Sequence, residues 1–204
     1  ASFDAPGIQP DAWYRMEGAT GVEDSGGNGH DITWVNSPTT QVEGKRGKYA
    51  VELNGTSQYG TITTSTDFYG TAANTMGEWS FAGWFHKTDW SSWGGSGEAL
   101  WDCAKTNDSI GSYARVSQNG ELGSVFYVGS SGTSSLVTSN VDVTSLASGW
   151  HHLAFTVDND GADLTIKTYV DGVLEATDTA SSVTSLKDGH TTFSIGTRHQ
   201  GNGS

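Results

Sequence analysis

The chain has 204 residues, of which 10 are Lys or Arg and 23 are Asp or Glu, so its formal net charge at pH 7 is 10 − 23 = −13. A surface of this sign repels nucleic acid phosphates and anionic membranes, which argues against a role in binding DNA or RNA. No window is apolar over the length of a membrane span, and a single Cys excludes an intrachain disulfide. The length predicts one domain.

The N-terminal residues differ in pattern from the rest of the chain. Residues 1–10 hold two of the three prolines and show no hydrophobic period, so they are predicted to form an arm or linker. The domain proper is predicted over residues 11–204. Short runs of alternating apolar and polar residues begin there. In chain order they are "AWYRME", "DITWVN", "YAVELN", "YGTITT", "WSFAGWFHK", "ALWDCAK", "YARVSQ", "LGSVFYVG", "HHLAFTVD", "LTIKTYVD", "VLEATDT" and "TFSIGT".

Turn signals separate these runs and indicate how they pair. Asn-Gly and Asp-Gly, as in "QNGE" and "VDGV", favour tight hairpin turns, so neighbouring strands are predicted to be antiparallel. A dozen or so strands in one domain predict two packed sheets. The best helical candidate, residues 143–148, is a turn or two at most. The predicted fold class is therefore an all-β, two-sheet antiparallel sandwich.

The first loop after the opening run is the best candidate for a metal site. It reads "EDSGGNGHD" over residues 23–31. Asp24, Asn28 and Asp31 offer side-chain oxygens, and the glycines let backbone carbonyls such as that of His30 point inward. Calcium accepts this mixture of carboxylate and carbonyl oxygens, so the loop is predicted to bind structural calcium. The alternative is a glycine-rich turn with solvated acids.

A second candidate site follows the run "WSFAGWFHK". Trp90 and Trp93 lie in what is predicted to be a loop. Indole faces stack on the apolar faces of sugar rings, and an exposed aromatic pair is costly unless it binds something. Both tryptophans are therefore candidate ligand contacts. The alternative is that they cap one end of the core, since large aromatics are commonly buried in β-sandwiches.

The adjacent histidines of "GWHHLAFTVD", residues 149–158, raise the question of a metal or catalytic pair. Successive side chains of a strand point to opposite faces, so His151 and His152 cannot both face one metal. The alternation puts His151 on the face of Leu153 and puts His152 on the face of Trp150. Both histidines are predicted to be packed or hydrogen-bonded strand residues.

The continuation "GWHHLAFTVDNDGADLTIKTYVDGVLEATDT" reads as strand, turn, strand, hairpin and strand. It resembles laminin G-like domains of the concanavalin A-like jelly-roll superfamily, in which a Trp-His-His strand precedes a Tyr-Val-Asp-Gly turn. The blocks "AVELNGTSQYGTI", "EWSFAGWFH" and "TTFSIGT" agree in order, and the resemblance extends over about residues 11–197. It implies a two-sheet antiparallel jelly roll that is extracellular or surface-exposed.

The resemblance also implies details of the two ends of the domain. Such domains often hold calcium at the opening loop, with help from an acidic residue near a closing strand. This chain ends in "RHQGNGS" where that strand would follow, so the domain is expected to lack its closing strand. Residues 1–10 and the open sheet edge are then expected to mediate self-association or contact with an assembly partner.

Catalysis is not predicted. Glucanases of this superfamily carry a Glu-x-Asp-x-Glu run along one strand, whereas the strand glutamates Glu17, Glu52 and Glu98 stand alone. The leading hypothesis is a non-catalytic extracellular binding or adhesion module that recognises a carbohydrate or glycoprotein with the help of calcium. The second is a structural or decorating domain of an extracellular fibre, adhesin or virion surface. The third and least favoured is a glycoside hydrolase or polysaccharide lyase.

Overall fold

Segments in which apolar and polar side chains alternate form β-strands throughout the described part of the chain. The computed structural model describes residues 10, 12–17, 19–63, 79–91, 98–102, 112–116, 119–128, 135–160, 162–181 and 192–197. Thirteen strands lie in these ranges. They are β1 (Thr33–Val35), β2 (Thr39–Glu43), β3 (Tyr49–Glu52), β4 (Tyr59–Thr63), β5 (Trp79–Lys87), β6 (Glu98–Asp102), β7 (Ser112–Val116), β8 (Glu121–Val128), β9 (Ser135–Asp142), β10 (Gly149–Asn159), β11 (Asp163–Val170), β12 (Val173–Ser181) and β13 (Thr192–Ile195).

The strands form two main sheets and a separate hairpin. The larger sheet has seven strands in the order β1-β4-β13-β6-β7-β8-β9, and the smaller has four in the order β12-β11-β10-β5. Strands β2 and β3 form the hairpin. Each strand pair is antiparallel. The predicted all-β, antiparallel two-sheet jelly roll is confirmed, and residues 143–148 form turns.

The core lies between the inner faces of the two sheets. Along β10, Leu153, Phe155 and Val157 alternate with partly exposed residues and are at most 2% exposed. Burying each such side chain stabilises the fold by about 2 kcal/mol. Aromatic rings join the two sheets, since Phe81 of β5 lies 5.5 Å from Trp101 of β6, measured between ring centroids.

On the inner face of β10, hydrogen-bonding partners hold the ring of His151 in place. Nδ1 of His151 lies 2.7 Å from a carboxylate oxygen of Asp171, and Nε2 lies 2.9 Å from the carbonyl oxygen of Ala147. Both partners of the ring nitrogens are oxygen atoms that can accept hydrogen bonds. The other carboxylate oxygen of Asp171 accepts the backbone N–H of His152 at 2.9 Å. The two histidines were predicted to be packed or hydrogen-bonded strand residues, and both lie in β10, His151 with its ring hydrogen-bonded and His152 with its ring edge-on to Trp84.

Two predictions about the ends of the domain fall outside the described residues. The arm is described only at Pro10, and residues 198–204, where the closing strand was expected to be missing, are not described. The domain boundary between residues 10 and 11 stays a prediction. Within the described ranges, no helix has the length and apolar character needed to cross a membrane.

We expect Asp171→Asn to reduce the free energy of unfolding by about 1 kcal/mol at neutral pH, because Asn keeps one acceptor oxygen where Asp171 uses one oxygen for the His151 ring and the other for the backbone N–H of His152. Burial raises the pKa of Asp171, but hydrogen bonds from His152 and His151 outweigh it and lower the pKa below 3.8. The stabilisation is therefore complete above that value and is lost as the pH falls through the folded-state pKa.

Urea unfolding of the wild type and the Asp171→Asn variant at pH 7 and pH 3 measures this difference. The exposed Glu175 of the neighbouring β12 supplies the control variant Glu175→Gln, which removes a carboxylate without removing these contacts. An equal loss of stability in the two variants, or a loss in Asp171→Asn that does not shrink at pH 3, would contradict the assignment.

Candidate ligand-binding surface

The opening loop is organised around the carboxylate of Asp24. Its Oδ1 and Oδ2 atoms accept hydrogen bonds of 2.8–3.3 Å from four backbone N–H groups. The donors are Trp13, Gly26, Asn28 and His30. In return, Oδ1 of Asp31 accepts the backbone N–H of Asp24 at 2.9 Å. The Asp24 side chain thus accepts from backbone N–H groups that regular secondary structure would otherwise pair.

This environment sets the protonation of the loop. Burial raises the pKa of Asp24, but the four backbone hydrogen bonds together outweigh it, so the pKa lies below its usual value. Tyr14 packs beside the loop and donates its hydroxyl to the carbonyl oxygen of His30 at 2.5 Å. Burial, followed by the nearby charges of Asp24 and Asp31, raises the pKa of Tyr14 well above its usual value. Asp24 is therefore charged at neutral pH and Tyr14 is neutral.

The carboxylate of Asp24 is not open to calcium in the observed arrangement. An ionised carboxylate has about four acceptor positions, and four N–H groups fill those of Asp24. The carbonyl oxygen of His30 already accepts the Tyr14 hydroxyl. Among the described residues, no three His, Cys, Asp or Glu side chains lie together in a way that could hold a metal ion. Calcium at Asp24, Asn28, His30 and Asp31 stays a prediction that would require these bonds to open.

The predicted tryptophan pair is not an exposed pair. Trp90 is 2% exposed, and its Nε1 donates to the carbonyl oxygen of Gly149 at 3.3 Å. Its ring meets that of His151 edge-on at 5.1 Å between centroids. The expectation that Trp90 contacts a ligand is corrected: its indole fills the end of the core, where burial of a large apolar ring is most favourable. Trp93 lies outside the described residues.

A different aromatic cluster lies on the outer face of the four-stranded sheet. Strands β5 and β10 each carry a Trp-x-His sequence, formed by Trp84 with His86 and by Trp150 with His152. The antiparallel register places each Trp opposite a His. Both ring pairs are edge-on, with centroids 5.2 Å apart. His86 is exposed and the other three are partly exposed, because the opposite face of the sheet, with Leu153, is the one that forms the core.

Two cations from the β2–β3 hairpin lie over this cluster. Lys45 Nζ is 5.5 Å and Arg46 Cζ is 5.7 Å from the ring centroid of Trp84, within the range of cation–π attraction. We call these two residues together with Trp84, His86, Trp150 and His152 the Trp84 surface. It offers aromatic rings, ring nitrogens and cationic donors on one exposed face.

This surface was not predicted from the sequence. Alternation along β10 placed Trp150 and His152 on one face, and the sequence "WFH" has the equivalent spacing. The repeated Trp-x-His spacing, together with a shared outer face, is the signal that could have found it. The cationic contribution had no such signal, since Lys45 and Trp84 are far apart in the chain.

We expect Asp24→Asn to reduce the free energy of unfolding by about 2 kcal/mol at neutral pH, because the Asn amide group would face backbone N–H donors. Because the folded-state pKa of Asp24 is lowered, the difference between the wild type and the variant should shrink as the pH falls below 3.8. Thermal or urea unfolding measures it. The exposed neighbour Glu23 gives the control Glu23→Gln, and a loss of similar size in that control would refute the role of Asp24.

Calcium should leave the stability of the chain unchanged. A ligand that binds only the folded state raises its melting temperature, and Asp24 has no acceptor position left for a cation. We expect melting temperatures in calcium and in chelator to agree within about one degree. Magnesium at the same ionic strength is the control. A rise of several degrees with calcium alone would restore the metal site predicted from the sequence.

Comparison with solved structures finds related folds in two toxins. One is botulinum neurotoxin type C, whose cell entry depends on interaction with two ganglioside molecules (TM-score 0.60, 13% identity, 85% of this chain and 39% of that chain). The other is the binding domain of botulinum neurotoxin DC in complex with rat synaptotagmin II (TM-score 0.59, 13% identity, 85% of this chain and 40% of that chain). This chain spans about two fifths of the length of each.

The sequence comparisons place the chain more directly. No curated protein sequence matches it significantly. A laminin G family model, described as the concanavalin A-like lectin/glucanases superfamily, matches residues 54–204, which is most of the chain and includes β4–β13. With the antiparallel sandwich described above, this match establishes that the chain belongs to the concanavalin A-like lectin/glucanase superfamily, in its laminin G branch.

Proposed function

We propose that the chain is a non-catalytic extracellular module that binds a carbohydrate or glycoconjugate through the Trp84 surface. One observation carries the proposal: Trp84 and Trp150 lie partly exposed, each edge-on to an imidazole, on the outer face of a hydrogen-bonded sheet. An indole face packs on the apolar face of a sugar ring. The neighbouring His, Lys and Arg nitrogens offer hydrogen bonds to its hydroxyl groups.

The rigidity of this surface favours binding. Both tryptophans stand on paired strands, and each ring meets a histidine ring across the pair, Trp150 with His86 and Trp84 with His152. Binding to side chains that are already ordered loses less conformational entropy than binding to a mobile loop. A sugar placed there would contact fixed rings on strands, in contrast to the loop contacts expected from the sequence.

The fold relatives support a binding role in general terms. One interacts with gangliosides, which are glycolipids, and the other binds the protein synaptotagmin II. Partners of both kinds are accessible to an extracellular module. The proposal needs no calcium, because none of the six residues of the Trp84 surface is an oxygen ligand.

Assembly is the second candidate function, and one observation favours it. Val173 and Leu174 are 58% and 49% exposed, and they begin β12, one of the two edge strands of the four-stranded sheet among the described residues. An edge strand with exposed apolar side chains is a template for pairing with another chain. The chain would then decorate an extracellular fibre, adhesin or virion surface.

Replacing Trp150 tests the binding proposal. We expect Trp150→Ala to weaken binding to the glycan selected from an immobilised panel by about tenfold or more, since aromatic anchors dominate binding energies. Titration calorimetry measures the affinity and circular dichroism checks the fold.

The matched control is Trp13→Ala, because Trp13 is 38% exposed and also carries a cation over its ring, with Arg15 Cζ at 5.9 Å. If Trp13→Ala lowers the affinity as much as Trp150→Ala, the site is misplaced. If the folded wild type binds no glycan of the panel and elutes as an oligomer, the assembly function replaces this one.

A further inference from the structure

The tip of the β2–β3 hairpin concentrates positive charge on an acidic chain. Residues 44–48 read "GKRGK" and contain Lys45, Arg46 and Lys48, three of the ten Lys and Arg residues of a chain with a net charge of −13. All three side chains are exposed. A cluster of like charges on a chain of the opposite net sign attracts anions locally.

The backbone of this tip is fixed. Oε1 of Glu17 accepts the backbone N–H of Lys48 at 2.6 Å, and the backbone N–H of Gly44 donates to the carbonyl oxygen of Lys48 at 3.1 Å. Gly47 adopts a φ of 77°, a left-handed conformation that favours glycine. The three cations therefore project from a defined turn, and two of them reach Trp84.

The charges of the tip are not neutralised by the described part of the chain. The ion pairs there are Lys87 with Glu98 and His151 with Asp171. Lys45 and Arg46 lie over the Trp84 ring, and Lys48 Nζ lies 4.7 Å from the ring centroid of Tyr49. The carboxylate of Glu17 accepts backbone N–H groups of Lys48 and Tyr49, and its charge also acts on the Lys48 side chain.

Aromatic contacts hold the cations in place but leave their hydrogen-bond donors available. A cation–π contact uses the charge of the guanidinium or ammonium group and does not consume its N–H bonds. An Arg presents a planar set of donors that matches a carboxylate or sulfate group, and a Lys adds a point charge. The site therefore combines a ring-stacking surface with an anion-binding edge.

We propose that the glycan bound by the Trp84 surface is acidic, with a carboxylate or sulfate group held by Lys45 and Arg46, which lie over Trp84, while a sugar ring packs against Trp150. This inference rests on the proposed function and adds to it the chemical class of the ligand. A free anion would engage only the cations of the tip. The saccharide supplies the second contact.

The test uses an immobilised panel in which each neutral oligosaccharide is paired with its sialylated or sulfated form. The wild-type chain should bind the acidic member of a pair about tenfold more tightly, the size expected for one or two charge-assisted hydrogen bonds at an exposed surface. The double variant Lys45→Gln, Arg46→Gln should lose this preference. Raising the NaCl concentration from about 0.05 to about 0.5 M should also reduce it, because the contact is screened.

Lys167→Gln is the matched control, since Lys167 is an exposed cation on β11 of the same sheet. It should keep the preference, and thermal unfolding of each variant checks that the fold is intact. Sodium sulfate at matched ionic strength should not compete effectively if the ligand is an acidic saccharide. Full competition would mean that the cations bind an adventitious ion only.

The outcomes separate the two proposals. Equal binding of neutral and acidic members, a preference that survives in the double variant, or full competition by sodium sulfate would overturn the acidic ligand. Glycan binding that depends on Trp150 would leave the proposed function in place in each of those cases. A folded wild type that binds no member of any pair would overturn both.

Discussion

The register between β5 and β10 governs both the core and the exposed surface of this protein. In that register Phe155 lies opposite Phe81 on the inner face, and His152 lies opposite Trp84 on the outer face. A slip of one residue would exchange the two faces, moving Phe155 into solvent and the imidazole into the core. The aromatic contact from Phe81 to Trp101 of the other sheet opposes such a slip. The outer surface is therefore ordered by the packing beneath it.

Carboxylates have a second organising role, at turns where the sheets leave backbone groups unpaired. Asp24 accepts four backbone N–H groups, and Asp171 joins the β11–β12 turn to β10. Hydrogen bonds from neighbouring hydroxyl or backbone groups also lower the pKa of Asp89, Asp142 and Asp160. Much of the acidic excess thus serves as hydrogen-bond acceptors for loops, a use that composition cannot distinguish from metal binding.

Local patterns predicted the strands well and the individual site residues less well. Alternation along β10 predicted that Leu153 and Phe155 share one face, because a strand has a strict period of two, and that face is the buried one. Trp90 was ambiguous, since a tryptophan after a strand caps the core or faces solvent according to where the turn directs it. The acidic loop gave the same oxygens for calcium or for a hydrogen-bonded turn. The choice depends on N–H groups such as that of Trp13, which come from another segment.

The sequence alone determined the all-β class, the antiparallel pairing, the separation of His151 from His152 and the family resemblance. These follow from period, turn chemistry and ordered motifs, which are local properties of the chain. Only the tertiary structure decided that the two Trp-x-His sequences face each other and that Lys45 and Arg46 lie over Trp84. Those contacts join residues that are distant in sequence. They are fixed by burial of the common core, which no local pattern encodes.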